Sequence, residues 1–222
     1  MRTADWSDAV SVLDRICAIL DAFDEHDGPL GVSELARRAN LPKSTVSRVV
    51  GELAAHRLLD RDGTTLNLGM RLFEYAQDVE LPRHLRFQAL PVLSDLRDQT
   101  GLSAVVAVPY DGAALVVAAA RGTRMPVRCP ALGATLPGPV TALGRALADV
   151  DAAVGTVFDE RGEHDPDVAA LACVVRPAES GAAAALAVHG PLDAVHSSAV
   201  AGSLRGAARA LSARLAAAGR RA

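Results

Sequence analysis

The stretch that decides the fold is Gly31-Val32-Ser33-Glu34-Leu35-Ala36-Arg37-Arg38-Ala39-Asn40-Leu41-Pro42-Lys43-Ser44-Thr45-Val46-Ser47-Arg48. Ser33 is predicted to cap a short helix that ends near Ala39, and Asn40-Leu41 forms a brief turn. Pro42 suits the first turn of the next helix, because its missing N–H would be unpaired there anyway. A short helix, a tight turn and a longer helix in this order predict a helix-turn-helix.

The longer helix, predicted to end near His56, has two different faces. Its apolar residues follow the helical period and face a core: Val46, Val49, Val50 and Leu53. The opposite face is small, hydroxylated and basic, and comprises Ser44, Ser47, Arg48 and Gly51, with Lys43 and Thr45 at the N-terminal turn. Small residues let a helix approach the floor of the major groove, where hydroxyls and arginine hydrogen-bond base edges or phosphates. The pattern favours a DNA-recognition helix over a solvated structural face.

A hairpin after this helix completes a winged helix-turn-helix. Residues 58–61 and 65–68 are strand candidates that flank Asp62-Gly63, a dipeptide typical of tight turns. Arg61 either contacts the DNA backbone from the wing tip or is a solvated turn residue. Ser33 and Arg38 are also predicted to contact the backbone, and Pro42 is predicted to belong to the DNA-binding surface.

The charge distribution is compatible with nucleic acid, although the whole chain has a formal net charge of -3. Residues 33–61 carry six basic and three acidic side chains, whereas residues 1–32 carry two basic and seven acidic ones. The acids can therefore face away from DNA while the helix-turn-helix is locally basic. The few aromatic residues, 3% of the chain, argue against recognition of single strands by base stacking.

The stretch quoted first resembles the helix-turn-helix of IclR-type bacterial transcriptional regulators. Leu66-Asn67-Leu68-Gly69-Met70-Arg71-Leu72 is similar to the segment by which that family leaves the wing. Weaker likenesses follow in the family's order: Arg121-Gly122, Gly133-Ala134-Thr135-Leu136-Pro137, Thr141-Ala142-Leu143-Gly144-Arg145-Ala146-Leu147 and Gly190-Pro191. The resemblance implies a homodimer or a dimer of dimers, with an effector domain that binds a small molecule.

The expected fold class is α+β, in three segments. A winged helix-turn-helix DNA-binding domain covers residues 1–68, a linker helix covers 69–81, and an effector-binding and oligomerisation domain covers 82–222. The last is an α/β domain with a mainly antiparallel sheet, whose main predicted strands are 102–109, 113–120, 171–176 and 182–189. We also expect a loop over residues 151–167 and a final helix with one apolar face, formed by Leu204, Ala208, Leu211 and Leu215.

Thr141 is predicted to cap a short helix in the C-terminal domain. The first N–H groups of a helix lack intrahelical partners and can bind a carboxylate. By resemblance, the effector-binding candidates are Thr141, Ala142, Leu143, Cys173 and His189. Thr141 could instead be only a cap, Cys173 a small core residue and His189 a surface or hydrogen-bonded core residue. The segment between Asp149 and Leu171 is shorter than in the family, which predicts a small, open or vestigial pocket.

Other classes of function find little support. Apolar runs such as Ala113–Ala120 are far shorter than the roughly 20 residues of a membrane-spanning helix. The first eight residues lack the apolar region of a signal peptide, and three widely spaced cysteines form no disulfide framework, so a cytoplasmic location is expected. The histidines and cysteines show no zinc spacing, and Glu163-His164-Asp165 lies in a polar segment. No enzymatic activity, catalytic residue, metal or cofactor is therefore predicted.

The sequence predicts a regulator that binds double-stranded operator DNA and is controlled by a small carboxylate-type metabolite. The alternative is a metabolite-sensing or protein-interaction module whose helix-turn-helix no longer binds DNA.

Overall fold

The computed structural model describes residues 11–23, 28–123, 129–176 and 184–219. Contacts divide the chain into two compact units, Met1–Val79 and Glu80–Ala222. The described elements of the first unit are α1 (Val12–Asp21), β1 (Leu30–Gly31), α2 (Val32–Arg38), α3 (Lys43–Ala55), β2 (Leu59–Asp62), β3 (Thr65–Leu68) and α4 (Met70–Gln77). The three strands form an antiparallel sheet in the order β1-β3-β2.

The helices of the N-terminal unit enclose a core because their apolar residues recur at helical spacing. The buried side chains of α3 are the four that the sequence pattern predicts, Val46, Val49, Val50 and Leu53. They belong to one apolar cluster with Leu35 of α2 and Leu66 of β3. The opposite side of α3 is therefore left to solvent.

The C-terminal unit contains one six-stranded antiparallel sheet in the order β6-β5-β4-β9-β8-β7. Its described elements are α5 (Glu80–Thr100), β4 (Ser103–Tyr110), β5 (Ala113–Ala120), β6 (Thr135–Pro137), α6 (Ala142–Ala148), β7 (Val157–Arg161), β8 (Val168–Val175), β9 (Ala184–Pro191), α7 (Leu192–Val195) and α8 (Ser198–Gly219). The predicted α+β class with a mainly antiparallel C-terminal sheet is confirmed.

Helices cover both faces of this sheet. The helices α5 and α8 pack on one face, where the predicted apolar side of α8 (Leu204, Ala208, Leu211 and Leu215) is buried. The short α6 packs on the other face through Ala142, Leu143, Ala146 and Leu147. Successive residues of a strand point to opposite faces, so each strand contributes to both clusters. All eight residues of β8 are consequently buried.

Two local predictions are wrong. Ser33 does not cap α2: the helix begins at Val32, two residues earlier than predicted, and Gly31 is its N-cap residue in an extended conformation. The segment 151–167, predicted as a loop, contains β7, an edge strand paired with β8.

The linker helix predicted over 69–81 corresponds to α4, which ends at Gln77, and α5 begins at Glu80. Residues 182 and 183 of the last predicted strand lie outside the described residues.

Candidate DNA-binding surface and effector cavity

The turn between α2 and α3 follows from three consecutive residues. Asn40 adopts a left-handed conformation with φ of 51°, which an asparagine tolerates better than most side chains. Leu41 is buried and its N–H donates to the carbonyl oxygen of Ala36, which closes the end of α2. Pro42 is the N-cap residue of α3. The turn thereby fixes the direction in which α3 leaves α2.

The N-terminal half of α3 presents most of the predicted DNA-binding residues together on the surface. Five of them are exposed: Pro42, Lys43, Ser44, Ser47 and Arg48. Thr45 is partly buried. A Cβ added to Gly51 would meet no atom within 4 Å, so the next turn of this face is open. The surface is small, polar and positively charged at the helix N-terminus, where the helix dipole adds positive potential.

Ser33 and Arg38 of α2 occupy different environments. Ser33 is exposed in the first turn. Arg38 is partly buried: its Nε donates to Glu34 Oε1 at 2.8 Å and its Nη1 donates to the carbonyl oxygen of Ala22 at 3.3 Å. Hydrogen bonds from Arg37 and Arg38 lower the pKa of Glu34 to about 2. Arg38 thus connects α2 to the end of α1, and its predicted contact with the DNA backbone stays a prediction.

The wing is a short hairpin whose strands pair in register from Leu59 with Leu68 to Asp62 with Thr65. Gly63 has a φ of +57°, as the tight turn requires, and the Thr65 hydroxyl donates to the Asp62 carbonyl oxygen at 2.9 Å. Arg61 is exposed on β2, next to this turn. Its position is compatible with both interpretations of its role, a backbone contact or a solvated residue.

The C-terminal unit holds a cavity of about 270 Å³ beside α6. Its lining combines apolar and titratable side chains: Cys129, Pro130, Leu136, Thr141, Glu160, His164, Asp165, Val168 and His189. The volume lies just below the roughly 300–1,000 Å³ of typical ligand pockets. Of the predicted effector residues, Thr141 and His189 are brought together here.

Thr141 is both the cap of α6 and part of the cavity wall. Its hydroxyl accepts from the Gly144 N–H at 3.1 Å and donates to the Pro137 carbonyl oxygen at 2.7 Å. Both hydrogen-bonding capacities of the hydroxyl are therefore directed toward its own chain. Ala142 and Leu143 follow in the helix with buried side chains that pack against the sheet.

A carboxylate of the protein itself occupies part of the predicted anion-binding position. Glu160 of β7 is only 3% exposed, and its Oε2 accepts from the Ala142 N–H at 2.9 Å. Sequence reasoning missed this residue, because Glu160 stands between Asp159 and Arg161 in a segment of solvated character. A ligand carboxylate at the Ala142 N–H would have to displace Glu160.

His189 is a buried neutral base in the cavity wall. It is 5% exposed, and its Nε2 has no hydrogen-bond partner in the structure. Burial, with a smaller contribution from His164, lowers the pKa of the imidazole to about 4. Because unpaired buried polar atoms are unfavourable, His189 is the wall residue best prepared to bind a polar ligand group.

Cys173 is not brought to the cavity. It lies on β8, where it belongs to the cluster under α5 and α8, whereas its neighbours Ala172 and Val174 belong to the cluster under α6. Burial raises the pKa of its thiol to about 11. A different cysteine, Cys129, lines the cavity, and burial also raises the pKa of that thiol. The sequence alone does not indicate which of these two cysteines lines the cavity.

Within the described parts of the chain, no group of three or more histidine, cysteine or acidic residues could hold a metal ion. The same residues include no helix that is long and apolar enough to cross a membrane.

Comparison with known proteins identifies the N-terminal unit. The model of the IclR helix-turn-helix family matches residues 12–63, which contain α2, the turn, α3 and most of the wing. The chain carries an IclR helix-turn-helix domain. The resemblance inferred from residues 31–48 is thereby confirmed.

The comparison with solved structures extends beyond the IclR domain to the fold of the whole chain. An IclR homologue from Microbacterium hydrocarbonoxydans, solved in complex with 4-hydroxybenzoate, has a TM-score of 0.80 at 23% identity and covers 93% of this chain and 100% of its own. IclR of Thermotoga maritima has a TM-score of 0.70 at 16% identity, with 92% and 98% covered. At these identities the likeness establishes the IclR fold.

A curated relative of the chain is the HTH-type transcriptional regulator XynR of Escherichia coli. It is 24% identical over 140 residues, which are 62% of this chain and 56% of XynR. The matched region thus spans little more than half the length of this relative.

Proposed function

We propose that the chain is a transcriptional regulator that binds double-stranded operator DNA with α3 in the major groove. The exposed polar and basic N-terminal half of α3, within an IclR domain, carries this proposal. Bases and phosphates are contacted by Lys43, Ser44, Thr45, Ser47 and Arg48. The DNA backbone is also contacted by Ser33, Arg38 and Arg61. In helix-turn-helix proteins the N-terminal residues of the recognition helix contact base edges.

The apolar surface of the N-terminal unit supports a homodimer, or a dimer of dimers. Val12 and Leu13 of α1 are 53% and 68% exposed, and Met70 and Phe73 of α4 are 61% and 56% exposed. Side chains of this kind are buried when a second copy packs against them. A symmetric dimer implies two half-sites separated by about 34 Å, one helical turn, or by a multiple of it.

Arg48→Ala tests the DNA-binding proposal directly. If Arg48 binds a base or phosphate, its loss weakens binding to a selected operator by about 1–3 kcal/mol, which is roughly 5- to 150-fold. Binding is measured by fluorescence anisotropy at several salt concentrations, because phosphate contacts make the affinity of a DNA-binding protein fall steeply with salt.

Arg205→Ala is the matched control, since Arg205 is exposed on α8 in the C-terminal unit. This control should bind operator DNA as the wild type does. Equal affinities of wild type and Arg48→Ala at fixed salt would contradict the role of Arg48. A wild-type protein that binds no duplex would favour the alternative, a metabolite-sensing or protein-interaction module.

We also propose that a small carboxylate-type metabolite binds in the cavity beside α6 and controls DNA binding. The unpaired Nε2 of His189 in the cavity wall supports a polar ligand. The complex of the Microbacterium homologue with 4-hydroxybenzoate, a small carboxylate, supports the ligand class. No catalytic role is proposed for the cavity.

The effector proposal predicts that Glu160→Gln binds small carboxylic acids more tightly than the wild type. The substitution replaces a buried carboxylate that repels an incoming carboxylate by a neutral amide, whose oxygen competes less strongly for the Ala142 N–H. Isothermal titration with a panel of aromatic and aliphatic acids should show a several-fold gain, with Glu163→Gln as an exposed control. The absence of binding by both proteins across the panel would contradict the proposal.

A further inference from the structure

The exposed side of α3, proposed above to face DNA, carries one acidic residue that the proposed DNA-binding residues do not include. Glu52 lies one turn after Arg48, and Arg48 Nη1 donates to Glu52 Oε1 at 2.8 Å. The two side chains are 58% and 55% exposed. Arg48, the arginine at the centre of the proposed interface, is thus paired with a carboxylate of its own helix in the free protein.

Helix stability does not explain this acid. Exposed ion pairs four residues apart contribute little to stability, and an arginine that precedes a glutamate is the weaker orientation of such pairs. Glu52 also lies in the last turn of α3, where the helix dipole disfavours negative charge. Its position is therefore locally unfavourable on two counts.

General DNA affinity does not explain it either. The recognition surface faces phosphates, and most of the affinity of a DNA-binding protein for any duplex comes from positive charge. A carboxylate on that surface repels the phosphates and partly neutralises Arg48. Its contribution must therefore depend on the sequence of the DNA, because the position of the amino donor and the acceptors beside it differ between base pairs in the major groove.

We propose that Glu52 is a specificity-determining residue that accepts a hydrogen bond from the N4 amino group of a cytosine. This inference rests on the proposed function. In the major groove this amino group is the donor with which aspartate and glutamate pair. Arg48, released from Glu52 on binding, is then free to donate to the O6 and N7 of a guanine or to a phosphate. Guanine or thymine opposite Glu52 leaves a desolvated carboxylate without a donor, which costs binding. Adenine has an N6 amino donor, but its N7 acceptor lies beside that donor and repels the carboxylate.

The test is selection of binding sites from a random duplex pool by wild type, Glu52→Gln and Glu52→Ala, followed by affinity measurements. The wild type is expected to select a cytosine at one position of each half-site, with about tenfold preference over other bases. Glu52→Gln should change that preference from cytosine to adenine, because glutamine pairs with adenine N6 and N7. Both variants should bind an unselected duplex several-fold more tightly than the wild type.

Glu74→Gln is the charge-matched control, because Glu74 is 58% exposed on α4 and pairs with Arg57 rather than with a residue of the α3 surface. It should select the wild-type sequence. Selection of the same sequences by wild type and both Glu52 variants would overturn the role of Glu52. An equal change of affinity in Glu74→Gln and Glu52→Gln would also overturn it, since it would reduce the effect to net charge. A wild type that selects no sequence at all would overturn the proposed function itself.

Discussion

Gly144→Ala should destabilise the C-terminal unit by about 3 kcal/mol or more, the upper range for overpacked sites. A Cβ built on Gly144 would lie 2.1 Å from the carbonyl oxygen of Gly138 and 2.3 Å from its Cα. Both are backbone atoms of the segment that leads from β6 into α6, so no flexible side chain can move away. The added methyl group must push α6 off this segment or break the Thr141 cap beside it.

The comparison with Gly202→Ala separates the clash from the loss of glycine. Gly202 lies inside α8, and a Cβ added there would meet nothing within 4 Å. Because alanine is favoured over glycine in helix interiors by about 1 kcal/mol, Gly202→Ala should be neutral or stabilising. The free energy of unfolding of both variants is measured by urea titration, and hydrogen exchange of amides in the C-terminal unit shows whether the change lies in that unit. A Gly144→Ala protein as stable as the wild type would show that α6 is not held where the structure places it.

The sequence is most informative where one face of an element is buried and the other is solvated. The α3 residues alternate between four buried aliphatic positions and a polar face, so periodicity alone predicts the core side, the exposed side and the helix itself. The hairpin follows equally from Asp62-Gly63 between two short strands. These are also the features by which the IclR resemblance is recognised.

The sequence is least informative where a strand is buried on both faces or carries a buried charge. All of β8 is apolar and buried, so its composition does not tell which face Cys173 occupies; only the register with β9 and β7 decides it. In β7 the pattern is the reverse, because the buried residue is Glu160 and its neighbours Asp159 and Arg161 are exposed. Hydropathy assigns such a segment to a loop, and only the hydrogen bond to Ala142 explains its burial.

The N-cap residues of the helices are only partly predictable from sequence, because tertiary contacts also decide where a helix begins. Thr141 caps α6 as expected, whereas Gly31 replaces Ser33 as the N-cap residue of α2. Gly31 also pairs with Thr65 in the small sheet, which fixes where the strand ends and the helix begins. A tertiary pairing between residues 34 positions apart thus overrides the local preference for serine.

The buried imidazole of His189 should make the C-terminal unit acid-sensitive. In the unfolded chain the pKa of a histidine is about 6.5, whereas burial lowers the pKa of His189 in the folded state to about 4. Between pH 6.5 and pH 4 the unfolded chain therefore binds a proton that the folded chain does not. The contribution of His189 to the free energy of unfolding is fully present above pH 6.5 and is lost as the pH falls toward 4. The two pKa values differ by about 2.5, which corresponds to about 3 kcal/mol in the free energy of unfolding.

His189→Leu isolates this contribution, because the other polar groups of the cavity wall, Glu160, His164 and Asp165, are the same in both proteins. The free energy of unfolding of the wild type should fall by about 3 kcal/mol more than that of His189→Leu between pH 7 and pH 4. NMR titration of the imidazole provides an independent measurement, with the exposed His56 as an internal reference. An ordinary titration of His189 near pH 6.5, or parallel stability curves for the two proteins, would mean that the imidazole is solvated. Its Nε2 would then be hydrogen-bonded to water, and the case for a ligand group at this position of the cavity would fail with it.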